Sequence, residues 1–275
     1  MLAEERRFRI KELLTSRRTV KATELTQMLG VTAATIRRDL AALEEEGVLV
    51  RSHGGAVSRT SSTNFQLSYE ALLRANRGAK EAIAREADRL ILDGETIFLE
   101  GSTTVYELAR RLKDRTRLTV VTNSPPILAE LHSNPGITIM SIGGDLLRDA
   151  FYLCGTWAER VLREIRVDKA ILGITALDPS YGISTARHAE AQIKKQLAKS
   201  AKCRIALADH SKFGKQSFAY VGPVSDVNTI ITDTLTDLAY VAALRESGIE
   251  VIIAKMQAET DSAGREKETN TIKKA

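Results

Sequence analysis

The stretch from Val31 to Ala56, VTAATIRRDLAALEEEGVLVRSHGGA, constrains the fold more than any other part of the chain. Ile36, Leu40 and Leu43 recur at i, i+4 and i+7, so a helix here buries one stripe. Thr32 stands at the N-cap position, and Gly47, after three glutamates, fits the residue that ends a helix. Ala34, Thr35, Arg37 and Arg38 lie off the stripe. They leave a small, polar, basic face on the first half of the helix, the kind a recognition helix turns to the DNA major groove. Val48-Leu49-Val50 then reads as a strand and His53-Gly54-Gly55 as a tight turn. Arg51 and Arg59 flank that turn, within reach of phosphates.

The segment upstream completes a small module. Ala22 to Leu29 reads as a short helix that Gly30 breaks, giving the tight turn of a helix-turn-helix. A first helix, roughly Glu4 to Thr15, offers Phe8, Ile10, Leu13 and Leu14 to the core. The first 60 residues hold 11 Lys and Arg against 8 Asp and Glu, within a chain of net charge +5. That excess is compatible with nucleic acid without requiring it.

Within this stretch, TIRRDLAALEEEGVLVRSHGGA resembles the N-terminal signature of the DeoR family of bacterial repressors. The family pattern is T-[IV]-R-R-D-L followed by G-x-[LIV]-x-R-x-H-G-G-A, and Thr35 to Leu40, Gly47, Arg51 and His53 to Ala56 match each fixed element. The residues expected at DNA are Thr32, Ala34, Thr35, Arg37, Arg38, Arg51, Ser52, His53, Gly54 and Gly55. Arg37 and Arg38 are divided between guanine edges and phosphates. Double-stranded operator DNA is the expected partner, and a homo-oligomer, dimer or tetramer, the expected state, because one module is small for a specific site.

Beyond the module the pattern changes. Ser58 to Ser68 is rich in Ser and Thr and reads as a linker, with a joining helix starting near Tyr69. From about Arg77, alanine-rich amphipathic helices alternate with seven short apolar runs: Thr96–Leu99, Leu118–Thr122, Ile137–Ile142, Lys169–Ile174, Arg204–Leu207, Thr229–Thr232 and Val251–Ala254. Such alternation predicts an α/β domain with a mainly parallel sheet. After Met256 the chain is polar and aperiodic and is expected to be a disordered tail. The expected organisation is an α+β winged helix-turn-helix domain (1–57), a linker (58–75), an effector-binding and oligomerisation domain (76–256) and the tail (257–275).

Ligands of open α/β sheets sit beyond the carboxyl ends of the strands. There the sequence places Glu100-Gly101-Ser102-Thr103-Thr104 before a helix, Asn123-Ser124 before Pro125-Pro126, Gly143-Gly144, Asp178, and Lys212 in Asp209-His210-Ser211-Lys212. Glycine and hydroxyl residues at a helix start suit an anion. The segments IFLEGSTT, VVTNS, IGGDL, AEAQIKK and ALADHSKFG also resemble the DeoR effector domain, which is related to ribose-5-phosphate isomerases. The resemblance implies a phosphorylated sugar or related metabolite as effector, with contacts at Glu100 to Thr104, Asn123, Gly143, Gly144, Glu190 and Lys212. The strand-end reading adds Ser124 and Asp178.

The alternative is a sugar-phosphate isomerase-like enzyme fused to a DNA-binding module. Aldose–ketose isomerisation needs a proton-transferring set. The related isomerases carry Asp-Gly-Ala-Asp at a strand end, a lysine soon after and a glutamate on the next helix. Here Leu172-Gly173-Ile174-Thr175 occupies the strand end, no lysine follows before Thr185, and only Glu190 remains. A sensor without catalytic residues is therefore expected. The four histidines have no metal-binding spacing, Cys154 and Cys203 form no CxxC pair, and no cofactor is expected. No apolar run reaches a membrane span and no signal segment opens the chain, so a cytoplasmic protein is expected.

Overall fold

The computed structural model describes residues 2–17, 19–46, 48–52, 54–58 and 69–256. The expected C-terminal tail, most of the linker, Gly47, His53 and Arg59 fall outside them. The N-terminal module runs α1 (Ala3–Arg17), β1 (Thr19–Lys21), α2 (Ala22–Leu29), α3 (Ala33–Glu45), β2 (Leu49–Ser52) and β3 (Gly55–Ser58). Its three strands pair antiparallel in the order β1-β3-β2. Ile10, Leu14, Leu25, Ile36, Leu40, Leu43 and Leu49 form one core. Gly30 adopts the left-handed conformation that ends α2 and opens the turn into α3.

Two features of this module were not expected from the sequence. β1 is only three residues long, too short to show alternation, yet it makes the wing three-stranded. Phe8 lies 61% exposed, whereas Arg6 is buried. Arg6 turns inward because Asp39 of α3 receives it, with Nε 2.5 Å from Oδ2 and Nη2 3.1 Å from Oδ1.

The second unit begins with α4 (Tyr69–Arg74) and α5 (Arg77–Arg89) and continues β4 (Thr96–Leu99), α6 (Thr103–Leu112), β5 (Leu118–Thr122), α7 (Pro125–Leu131) and β6 (Ile137–Ser141). Then come β7 (Asp145–Leu147), β8 (Tyr152–Cys154), α8 (Thr156–Glu164), β9 (Val167–Gly173), β10 (Ala176–Asp178) and β11 (Gly182–Thr185). The chain closes with α9 (His188–Ser200), β12 (Ala201–Leu207), β13 (Ala219–Gly222), β14 (Thr229–Asp233), α10 (Leu238–Glu246) and β15 (Glu250–Ala254).

Seven strands form a parallel sheet in the order β15-β14-β12-β9-β4-β5-β6. Successive side chains alternate between its faces, as strand geometry requires. Ile97, Leu99, Val120, Ile171, Leu207 and Ile231 pack with α5, α6 and α7 on one side. Phe98, Val121, Leu172, Ala206 and Ile230 pack with α8, α9 and α10 on the other. Both faces are covered, which is why the strands are apolar runs rather than alternating ones.

The connections run outward from the centre. From β4 the chain adds β5 and β6 on one side; it then returns and adds β9, β12, β14 and β15 on the other. The reversal lies between β4 and β9, so their carboxyl ends open a crevice. Two small antiparallel elements frame that end: the β7–β8 hairpin and the sheet β10-β11-β13. The sequence pattern showed neither, because strands of three or four residues carry too little periodicity.

Candidate nucleic-acid interface and strand-end site

The helix-turn-helix presents the expected face. The Thr32 hydroxyl accepts from the Thr35 amide at 3.3 Å and lies 3.0 Å from the Thr35 hydroxyl, fixing the start of α3. Thr32, Ala34, Arg37 and Arg38 are exposed and Thr35 is half-buried, while Ile36, Asp39, Leu40 and Leu43 point inward. The Arg6–Asp39 pair joins α1 to the buried side of the same helix, setting its orientation.

At the wing, two of the expected residues have partners within the module. Arg51 is committed to Glu44 of α3: its Nε lies 2.6 Å from Oε2 and its amide donates to Oε1 at 2.9 Å. It braces the wing against the helix. Gly55 is buried against β1, and a Cβ built on it would stand 1.9 Å from the Val20 carbonyl oxygen. Strand packing therefore requires glycine at position 55. Gly54 is exposed at the turn, and its carbonyl accepts from the Ala22 amide at 2.8 Å. Ser52 ends β2.

At the sheet's carboxyl end, several expected ligand residues prove to be internal. Glu100 is 1% exposed. Its Oε2 accepts from the Gly173 amide at 2.9 Å, and its Oε1 accepts from Lys194 Nζ at 2.6 Å. Asn123 is fully buried: its Oδ1 accepts from the Gly101 amide at 2.8 Å and its Nδ2 donates to the Leu153 carbonyl at 3.1 Å. Gly101 lies under Tyr152, where a Cβ would approach the Tyr152 Cβ to 2.6 Å. Asp178 sits at the far end of the β10–β11 hairpin, where it accepts from the Ser180 hydroxyl and amide and the Tyr181 amide. Its carboxylate, held below its ordinary range by the Ser180 hydroxyl, shapes this turn.

Other expected residues keep their place at the strand ends. Ser102 caps α6, accepting from the Val105 amide at 3.1 Å, with Thr103 and Thr104 in the first turn. Ser124 caps α7 in the same way at 3.4 Å. Gly143 and Gly144 make the turn from β6 into β7. A Cβ on Gly144, whose φ is +107°, would meet the Cys154 carbonyl at 2.3 Å. Glu190 is buried on α9; its Oε1 accepts from the Thr175 hydroxyl at 3.3 Å and lies 3.6 Å from Lys194 Nζ.

The sequence reading missed two lysines here. Lys194 is buried, donating to Glu100 and to the Gly173 carbonyl at 2.6 Å. Burial works against its charge, but Glu100 and Glu190 outweigh that cost and hold its ammonium above the usual lysine range. Its position four residues after Glu190, one helical turn on, was the available signal. Lys80, on α5, is 2% exposed. It donates to the Leu72 carbonyl and, at 2.6 Å, to the Ala75 carbonyl at the end of α4. Burial pulls its ammonium from 10.5 down to about 8, with Asp209 opposing and Lys212 adding to that shift.

Asp209, at the end of β12, is the centre of a second charged group. Its Oδ1 accepts from Asn76 Nδ2 at 2.9 Å and from the Ser211 amide and hydroxyl. Its Oδ2 is buried without a hydrogen-bond partner, and Lys212 Nζ stands 3.9 Å away. Burial opposes the charge of Asp209, yet Lys212, Ser211 and Asn76 together keep its carboxyl below the usual value. Lys215 is pulled below the usual lysine range by burial and by Lys212. Next to this group, His210 Nδ1 lies 3.0 Å from Asp233 Oδ1. Among the described residues no cluster of His, Cys, Asp and Glu could hold a metal ion. No helix among them is long and apolar enough to cross a membrane.

The chain is similar to known proteins in both parts. Residues 6–62 match the DeoR-like helix-turn-helix domain, and residues 75–234 match the DeoR C terminal sensor domain. The chain is 36% identical over 251 residues to the uncharacterized HTH-type transcriptional regulator YulB of Bacillus subtilis (strain 168), covering 91% of this chain and 96% of that one. It is 33% identical to the HTH-type transcriptional repressor GlcR of the same organism, covering 93% and 98%. It is 36% identical to the transcriptional repressor AccR of Agrobacterium fabrum (strain C58 / ATCC 33970), covering 85% and 90%. These relatives carry the names of regulators, not of enzymes. Among solved structures, ribose 5-phosphate isomerase A from Methanocaldococcus jannaschii is similar over 50% of this chain and 55% of that one, at 20% identity and a TM-score of 0.38, too distant to bear on function. By its reader module, its sensor domain and its near full-length relatives, the chain belongs to the DeoR family of DNA-binding transcriptional regulators.

Proposed function

We propose that this regulator is a cytoplasmic repressor whose grip on operator DNA is controlled by a phosphorylated sugar or related metabolite at the strand-end site. The reader is the exposed face of α3: Ala34, Thr35, Arg37 and Arg38, with Gly54 at the wing turn. One such face is small for a specific site, so the working form is a homo-oligomer on repeated half-sites. The module 1–57 reads DNA, 58–75 connects, and 76–256 binds the effector and assembles.

The observation that carries the effector class is the charge balance around Asp209. Asp209 and Lys212 both act on Lys80 and on Lys215, Glu107 also acts on Lys80, and burial depresses the ammoniums of Lys80 and Lys215. An excess of partly desolvated cations is relieved by a bound anion. The capped start of α6, with Ser102, Thr103 and Thr104, adds the positive end of a helix to the same edge of the sheet. Glu190 and the Gly143-Gly144 turn stand on the same edge, where the carbon chain of a phosphorylated ligand would extend.

Fluorescence anisotropy on DNA from upstream of the protein's own gene, at fixed salt with competitor DNA, tests this reading. Specific binding that one phosphorylated sugar shifts is the expected result. Specific binding that no phosphorylated compound shifts would remove the effector class and leave the reader intact.

A further inference from the structure

Two buried polar atoms over the β4 and β9 ends have no hydrogen-bond partner: the Tyr152 hydroxyl and Glu190 Oε2. Tyr152 is 2% exposed and Glu190 5%. A donor and an acceptor withheld from water and left unmatched are unfavourable unless something completes them.

Their surroundings hold both in place. Tyr152 stands over Gly101, in the loop after β4, because any side chain at 101 would collide with its Cβ. Its neighbour Leu153 donates its amide to the Asn123 carbonyl at 2.7 Å, fastening β8 to the end of β5. Glu190 is fixed through its other oxygen by Thr175, in the loop after β9, and the Thr175 hydroxyl in turn accepts from Thr185 at 3.4 Å. Of the charged groups near the Tyr152 hydroxyl, Glu190 acts on it most strongly, after burial itself, and both push its ionisation well above the usual tyrosine range. The phenol therefore stays a neutral donor.

We infer that an alcohol group of the effector binds between the Tyr152 hydroxyl and Glu190 Oε2, which makes Tyr152 a specificity-determining residue for a polyol or sugar. The chemistry selects this class. An alcohol donates to the carboxylate and accepts from the phenol with one oxygen. An ammonium could donate to Glu190 but could not accept from Tyr152. A carbonyl or carboxylate could accept but could not donate. The inference rests on the reading that the strand ends bind a phosphorylated ligand, with the anion at the lysines and the hydroxyl here.

The test is calorimetric titration of the full chain with inorganic phosphate, then with pentose 5-phosphates and hexose 6-phosphates, each beside its single-deoxy analogues. One deoxy analogue of the preferred compound should bind at least about 100-fold more weakly than its parent, the penalty of leaving a built polar site unmatched. In Tyr152→Phe and Glu190→Gln the parent should fall toward the deoxy analogue, so that their ratio approaches one. Ligand-free melting shows whether each variant is folded; should Glu190→Gln unfold, Tyr152→Phe, which removes a single oxygen, decides alone. An undiminished ratio in Tyr152→Phe would overturn the inference, and so would a change in melting alone, the mark of a structural water. Phosphate binding without any discrimination between parent and deoxy sugars overturns the hydroxyl site and leaves the anion site standing. No binding of phosphate or of any sugar phosphate removes both.

Discussion

Lys194 Nζ lies 2.6 Å from Glu100 Oε1, with side-chain exposures of only 2% and 1%. The pair ties α9 to the end of β4, and Glu100 and Lys194 between them also take the amide and carbonyl of Gly173 at the end of β9. The crevice at the sheet's reversal point is thus floored by an ion pair. Breaking such a pair leaves an uncompensated buried charge, at a cost of about 3–5 kcal/mol. Lys194→Met should therefore lower the urea-unfolding free energy of the sensor domain by about that amount. Glu100→Leu combined with Lys194→Met should recover much of the loss, and a double variant no better than the single would show that the pair is not the source.

Lys80 predicts opposite pH trends for binding and for stability. In the folded chain its ammonium titrates near 8, in the unfolded chain near 10.5. Between those values only the unfolded state holds the proton, so this lysine makes the ligand-free protein more stable as pH rises through that window. A bound anion prefers Lys80 charged, so anion affinity falls over the same range, by up to about tenfold per pH unit for one coupled proton. Sulfate, whose charge is constant there, is the probe: its stabilisation in thermal melts should shrink from pH 7 to pH 9, and in Lys80→Met it should no longer depend on pH in this way.

Gly55 predicts a defect confined to the reader. Gly55→Val forces a side chain into the Val20 carbonyl. Overpacking of this kind costs roughly 1–3 kcal/mol. Operator affinity should drop while sulfate binding by the sensor domain is retained. Normal operator affinity would mean that β1 need not pair with β3 for DNA reading.

Arg37 and Arg38 are both exposed on α3, and salt dependence separates their roles. Replacing a phosphate contact by alanine should flatten the plot of log affinity against log salt by about 0.9 and weaken all sequences alike. Replacing a base contact should relax preference at one operator position, by about 1–3 kcal/mol. If neither alanine variant changes affinity or slope, α3 is not the reader.

All seven parallel strands were legible because each is an apolar run bounded by turns, and Leu118–Thr122 and Thr96–Leu99 coincide with their observed limits. The helix-turn-helix was legible because its stripe and its cap fall within one short window. The hairpins around the site were not, since their three- and four-residue strands carry too little periodicity, and β11 pairs with β13 across residues distant in sequence. The strand-end site was half legible. Residue type located Glu100 and Asn123 at the right edge of the sheet, but could not show that their polar atoms were already engaged by Lys194 and Gly101. Tyr152 carried no signal at all, because an aromatic residue in an apolar stretch looks like core until its hydroxyl is seen to lack a partner.

Lys80 donates hydrogen bonds to the Leu72 and Ala75 carbonyls, and through them closes the last turn of α4, the first described element after the wing. The ammonium has a third donor, so an anion bound there would share this nitrogen with those two carbonyls. The end of a six-residue helix and any anion bound at this lysine would in this way depend on one nitrogen. Through that atom α4 is fastened to α5.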